Sequence, residues 1–92
     1  MIKNFKILAI SLLKRRVAKL NEKLSNSHSG EQVYLYESGT KYCVLVLVDT
    51  KTHMIRARFD VNAQAKRDQC LAKAFLSLIE NTRVPNALPL AA

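Results

Sequence analysis

Apolar residues recur at helical spacing at both ends of the chain and at strand spacing in the middle. Ile10, Leu13, Val17, Leu20 and Leu24 are separated by three, four, three and four residues. That places them on one stripe and predicts a helix over 3–25 facing a core. A second stripe changes character along its length. Phe5, Leu8 and Leu12 give way to Arg16, Lys19 and Lys23. The first half of the helix is therefore apolar nearly all round, while its second half has a basic flank. Near the other end, Leu71, Ala74, Phe75, Leu78 and Ile79 predict a helix over 62–81, with Asn62 or Asp60 placed to cap its start. Segments 32–37, 41–48 and 53–59 read as strands. The first two are joined by a tight turn at Ser38-Gly39, the last two by Asp49-Thr50-Lys51-Thr52.

The expected architecture is α+β with the order α-β-β-β-α: a three-stranded antiparallel sheet with two helices on one face. Simple pairing in both hairpins sets Leu35 opposite Tyr42 and Val46 opposite Ile55. Side chains alternate along a strand. Val33, Leu35, Tyr42, Val44, Val46, Ile55, Ala57 and Phe59 then form the core face. The opposite face receives Tyr34, Tyr36, Cys43, Leu45, Leu47, Met54, Arg56 and Arg58. Aromatic, apolar and basic groups sharing one open surface suggest a partner. The competing reading is that the N-terminal segment or the C-terminal tail covers it.

The 92 residues make one domain, 1–92, with one modest core. After Thr82 two prolines and no periodicity predict an extended tail over 83–92. Ser25 to Gly30 is a polar linker, with His28 exposed and idle. Apolar residues make up 49% of the chain, which argues for a folded domain. Fifteen Lys and Arg against seven Asp and Glu leave a net charge of +8. Such a field favours acidic partners: nucleic acid, an anionic surface or an acidic protein.

Catalytic signatures are missing, and no enzyme is expected. Two glycines cannot make a phosphate-cradling loop. Cys43, Cys70, His28 and His53 fall on four separate elements without metal-ligand spacing, so neither a metal nor a cofactor is expected. Both cysteines read as small reduced hydrophobes of a cytosolic protein. Ile7 to Leu13 follows Lys3 and Lys6, a faint likeness to a signal peptide. The run is short, however, and Lys14-Arg15-Arg16 follows at once. A membrane span needs about 20 apolar residues. The expectation is a soluble protein of the bacterial cytoplasm, with no membrane partner.

Three groups are candidates for binding. Lys66 and Arg67 lie near the start of the last helix, where cations oppose the helix dipole and acids would be the stabilising choice. Free N–H groups beside two cations suit a phosphate. The alternative is that Asp68 and solvent offset the charge. On the open sheet face, Tyr34 and Tyr36 suit base stacking and Arg56 and Arg58 suit phosphates or carboxylates, while Leu45, Leu47 and Met54 fit a protein partner better. Arg16, Lys19 and Lys23 form either a solvated helix flank or a third contact.

Two resemblances follow. The element order, with Ala65-Lys66-Arg67-Asp68 leading into Ala72, Ala74, Leu76 and Leu78, resembles the double-stranded-RNA-binding domain over roughly residues 63–78. That likeness implies phosphate contacts at Lys66 and Arg67. Cys70 replaces the family's third helix lysine, and Glu37-Ser38-Gly39-Thr40 replaces its Gly-Pro-x-His loop. As a whole, a small basic α+β chain without a catalytic motif resembles the phage-encoded anti-CRISPR proteins directed at type I-F surveillance complexes. This implies a stoichiometric inhibitor that occupies a crRNA–protein assembly, touching its Cas subunits and crRNA, and blocks target-DNA binding or hybridisation. Lys66, Arg67, Arg56, Arg58, Arg16, Lys19 and Lys23 would supply the polar contacts, and Tyr34, Tyr36, Leu45 and Met54 the less polar one. A general RNA- or DNA-binding module and a structural homodimer paired through the sheet are the alternatives. Monomer and homodimer are both open.

Overall fold

The computed structural model describes residues 2–84, with side chains from Ile10 onward. Its elements are α1 (Ile2–Asn26), β1 (Glu31–Ser38), β2 (Tyr42–Asp49), β3 (Ile55–Asn62) and α2 (Lys66–Arg83). The strands form one antiparallel sheet in the order β1-β2-β3. The expected α-β-β-β-α order and α+β class are therefore observed. Both helices pack on one sheet face, α1 against β1 and α2 against β3, and they touch each other. The side chains of Phe5 and Leu8, and the tail from residue 85, lie outside what is described. Arg83, expected to open that tail, instead ends α2.

The core sits between the helices and the sheet. Leu13, Val17, Leu20 and Leu24 of α1 meet Val33, Cys43, Leu45, Leu47 and Val61 of the strands and Ala72, Leu76 and Ile79 of α2. The helical stripes thus face inward as their spacing dictates. Phe59 stacks on Phe75 at 5.7 Å between ring centroids and ties β3 to α2. On the other side, Asn21 reaches from α1 to β1. Its side-chain amide donates to the Val33 carbonyl at 2.9 Å, and its oxygen accepts from the Val33 N–H at 2.8 Å. An edge strand leaves such backbone groups without a ladder partner, and this one side chain satisfies both.

The middle strand is turned over relative to expectation. Leu35 pairs with Leu45 and not with Tyr42, a slip of three residues. The connection is Gly39-Thr40-Lys41, with Gly39 at φ +73°, where a glycine carries no Cβ penalty. The second hairpin slips by three as well, Val46 pairing with Arg58 and not with Ile55. An odd slip exchanges the faces of a strand. The first slip reverses β2 and the second restores β3. The true core face is therefore Val33, Leu35, Cys43, Leu45, Leu47, Ala57, Phe59 and Val61. Leu45 and Leu47, expected on the open face, are wholly buried, and so is Cys43. Burial, aided by the charge of Glu37, pushes the Cys43 thiol pKa up. Tyr42, expected in the core, is 51% exposed. Val44 and Val46 belong to the outer face, where Val46 is covered by its neighbours and not by the helices.

A register shift between Leu47 and Val48 explains the remaining departure. Leu47 pairs with Ala57, but Val48 pairs with Ile55, so Arg56 is the extra residue of a bulge. Ile55, expected in the core, thereby moves to the outer face and is 59% exposed. Asp49 organises the loop ahead of it. Its carboxylate accepts from the N–H groups of Lys51 and Thr52 and from Arg56, while His53 takes φ 60°. The longer loop pushes β3 two residues downstream, so Asp60 and Asn62 end a strand and do not cap a helix. The N-cap of α2 is Ala65, with no side-chain cap. Asp68 instead turns back to accept from the Asn62 N–H at 2.8 Å.

Candidate anion-binding groove

The two helices run the same way across the sheet. Leu12 lies level with Gln69 and Lys73, Arg16 and Lys23 with Glu80, and Ser27 with Arg83. Between them is a groove of about 560 Å³ lined by Leu12, Leu13, Arg15, Arg16, Lys19, Gln69, Lys73 and Ser77. Four of these eight are cations and none is an acid. The floor is leucine and the remaining polar groups can donate hydrogen bonds. One end is closed by Glu80, which accepts from Arg16 and from Lys23, each at 2.7 Å. Lys23 first, then Arg16, hold the Glu80 carboxyl below the usual carboxylate range against the opposing effect of burial. That three-way ion pair fixes the helices side by side and so shapes the groove. Arg15, Lys19 and Lys73 form no ion pair among the described residues.

Helical spacing builds this arrangement. On α1, Leu12, Arg16, Lys19 and Lys23 flank the core stripe on the side of α2. On α2, Lys66, Gln69, Lys73, Ser77 and Glu80 repeat at three, four, four and three, one stripe on the side of α1. Arg15 precedes Lys19 by one turn, and Lys19 precedes Lys23 by another. Like charges at that spacing oppose helix formation by about 0.2–0.5 kcal/mol per pair. A bound anion would relieve that repulsion, because the groove concentrates the positive field that repels its own members.

The distribution of charge across the molecule is just as uneven. Helix α1 carries seven cations against Glu22 alone, and α2 four against Asp68 and Glu80. Residues 31–62, the sheet and its loops, carry four cations against four acids. The whole net charge of +8 thus belongs to the helix layer.

The expected site residues separate accordingly. Lys19 and Arg16 line the groove, and Lys23 stands at its closed end. Lys66 and Arg67 occupy the first turn of α2 and are exposed. Being successive, they point about 100° apart. Lys66 belongs to the groove stripe, whereas Arg67 shares the outward stripe with the exposed Leu71 and Leu78. On the other side of the molecule, Arg56 is paired with Asp49 at 3.0 Å and Arg58 with Asp60 at 2.9 Å. Tyr34 and Tyr36 are exposed there with their rings 6.2 Å apart and 25° from parallel, and the Tyr34 hydroxyl donates to Gln32. Met54 is 60% exposed in the loop before β3. Leu45 is 0% exposed and cannot touch a partner. The residues missed were Arg15 and Lys73. The α2 stripe at three, four, four and three is the sequence signal that locates Lys73.

Among the described residues no helix is long and apolar enough to cross a membrane. Comparisons of the chain with protein-family models, with curated proteins and with solved structures find no match.

Proposed function

We propose that this protein is a non-catalytic binding protein that seats the phosphate backbone of a nucleic acid in the groove between α1 and α2. The observation that carries the reading is the groove lining: four cations, two hydrogen-bonding side chains, an apolar floor and no acid. Arg15 presents a guanidinium fork suited to phosphate oxygens, Arg16 is held by Glu80, and Lys19 and Lys73 act as point charges on either wall. Lys66 extends the same track toward the start of α2. No base-reading element is needed, so the contact is expected to be insensitive to sequence.

The more particular proposal is an inhibitor of a crRNA-guided surveillance complex, in which the same basic face occupies the path of the target DNA. The small basic chain and its one-sided charge support it. Recovery of Cas backbone subunits with crRNA from bacterial lysate, surviving ribonuclease treatment, is the expected result. Recovery of mixed RNA alone, lost on nuclease treatment, would sink the inhibitor and leave a general nucleic-acid module. Unaltered affinity for oligonucleotides after charge reversal at Arg15, Lys19 and Lys73 would sink both.

A further inference from the structure

We infer that the outer face of the sheet is the interface of a homodimer, with a second copy of this chain as its occupant. This face lies across the sheet from the interhelical groove. Rows across the sheet are fixed by pairing: Tyr34, Val46 and Arg58 form one, and Tyr36, Val44 and Asp60 the next. Each row has an aromatic on β1, a valine in the middle and a charged group on β3. A two-fold axis lying between two such sheets, parallel to β2, sets β1 of one copy over β3 of the other. Val44 then meets Val44 of the second copy, while Val46, 4% exposed, adds little contact of its own. Tyr34 lies over Arg58 of the second copy, and Tyr36 over Asp60. Those are a cation–π contact and a phenol-to-carboxylate hydrogen bond, each made twice by symmetry.

Charge decides between occupants. Residues 31–62 sum to zero, and Arg58 already holds the Asp60 carboxylate of the same face. Asp60 would repel a phosphate chain, so a polyanion has no advantage here. A neutral, self-complementary face suits its own copy. The basic helix layers then point outward on opposite sides of the dimer, separated by well over a Debye length of about 8 Å.

Size sets the strength. Three strands of eight residues span about 26 by 14 Å. Two such footprints total about 730 Å², below the roughly 1,200 Å² at which standard specific interfaces begin, so the dimer should be weak.

Sedimentation of the full chain over a micromolar-to-millimolar series tests this. Concentration-dependent dimerisation is expected. Tyr36→Glu, on a side chain 59% exposed, should weaken association at least tenfold (an order-of-magnitude figure) while leaving the circular dichroism spectrum intact. Arg58→Ala should weaken it by about threefold and needs no change in the core. A monomer throughout the series overturns the proposal. So does a dimer of equal strength in wild type, Tyr36→Glu and Arg58→Ala, because it would use another surface.

Discussion

The helix layer and the outer face of the sheet carry similar kinds of residue in opposite arrangements. Both mix apolar with basic side chains. On the sheet, Arg56 and Arg58 each lie within 3.0 Å of a carboxylate, and Tyr34, Tyr36 and Ile55 stand exposed on the same side. Between the helices, Arg15, Lys19 and Lys73 share a groove that no acid lines among the described residues. Composition alone does not distinguish these surfaces. What separates them is pairing: a cation already holding a carboxylate has little left to offer a phosphate, while crowded cations gain from meeting one.

The sharpest way to break the comparison is charge reversal on each side. Arg15→Glu, Lys19→Glu and Lys73→Glu together should lower oligonucleotide affinity by two orders of magnitude or more (roughly), and reduce the slope of log affinity against log salt by about three. Arg56→Glu and Arg58→Glu together should change it far less. Fluorescence anisotropy across a salt series reads both. Equal losses from the two sets would erase the distinction.

Stability offers the next test. Leu45→Ala should cost about 2–5 kcal/mol in urea unfolding, as expected for a leucine deleted from a packed core. Tyr36→Ala, on the outer face, should stay within about 1 kcal/mol at concentrations where the chain is monomeric. The expected register put both side chains on the open face and implied a small loss for each, so a large loss at Leu45 alone shows which face of β2 is inward.

That register shows where the sequence was legible and where it was not. The helices were readable because each has one apolar stripe, and strands β1 and β3 because their faces differ. Segment 42–48 reads Tyr-Cys-Val-Leu-Val-Leu-Val, apolar at every position, so alternation imposes no choice. Hairpin lengths then decide, and both were three residues from simple expectation. The bulge at Arg56 left no sequence signal at all. For the site, the α1 flank was legible from its stripe. The groove was not, because it exists only once α2 lies parallel to α1 and brings Lys73 opposite Lys19.

Smaller effects sharpen the picture. Asn21→Ala should cost about 1–3 kcal/mol, since it strands both backbone groups of Val33 beside the helix. Urea midpoints read this directly. Acid should act on both layers. Donation from the Thr52 backbone N–H, then the Arg56 guanidinium, then the Lys51 backbone N–H holds the Asp49 carboxyl far below the usual range, and Glu80 is lowered by Lys23 and Arg16. A depressed carboxylate stabilises the fold above its unfolded pKa of about 4, and that contribution is lost as pH falls through the folded value. Stability should therefore decline below about pH 4. In Asp49→Asn with Glu80→Gln the acid limb should flatten. An unchanged limb in that double variant would show that other carboxylates govern it.

The central claim is that polyanions meet the helix layer and not the sheet. Amide chemical-shift mapping during titration with a short oligonucleotide reads both surfaces at once. The account predicts shifts concentrated at Arg15, Arg16, Lys19, Gln69 and Lys73, with Tyr34, Tyr36, Val46 and Arg58 unmoved. Shifts centred on Tyr34, Tyr36 and Arg58, with the interhelical residues silent, would contradict it.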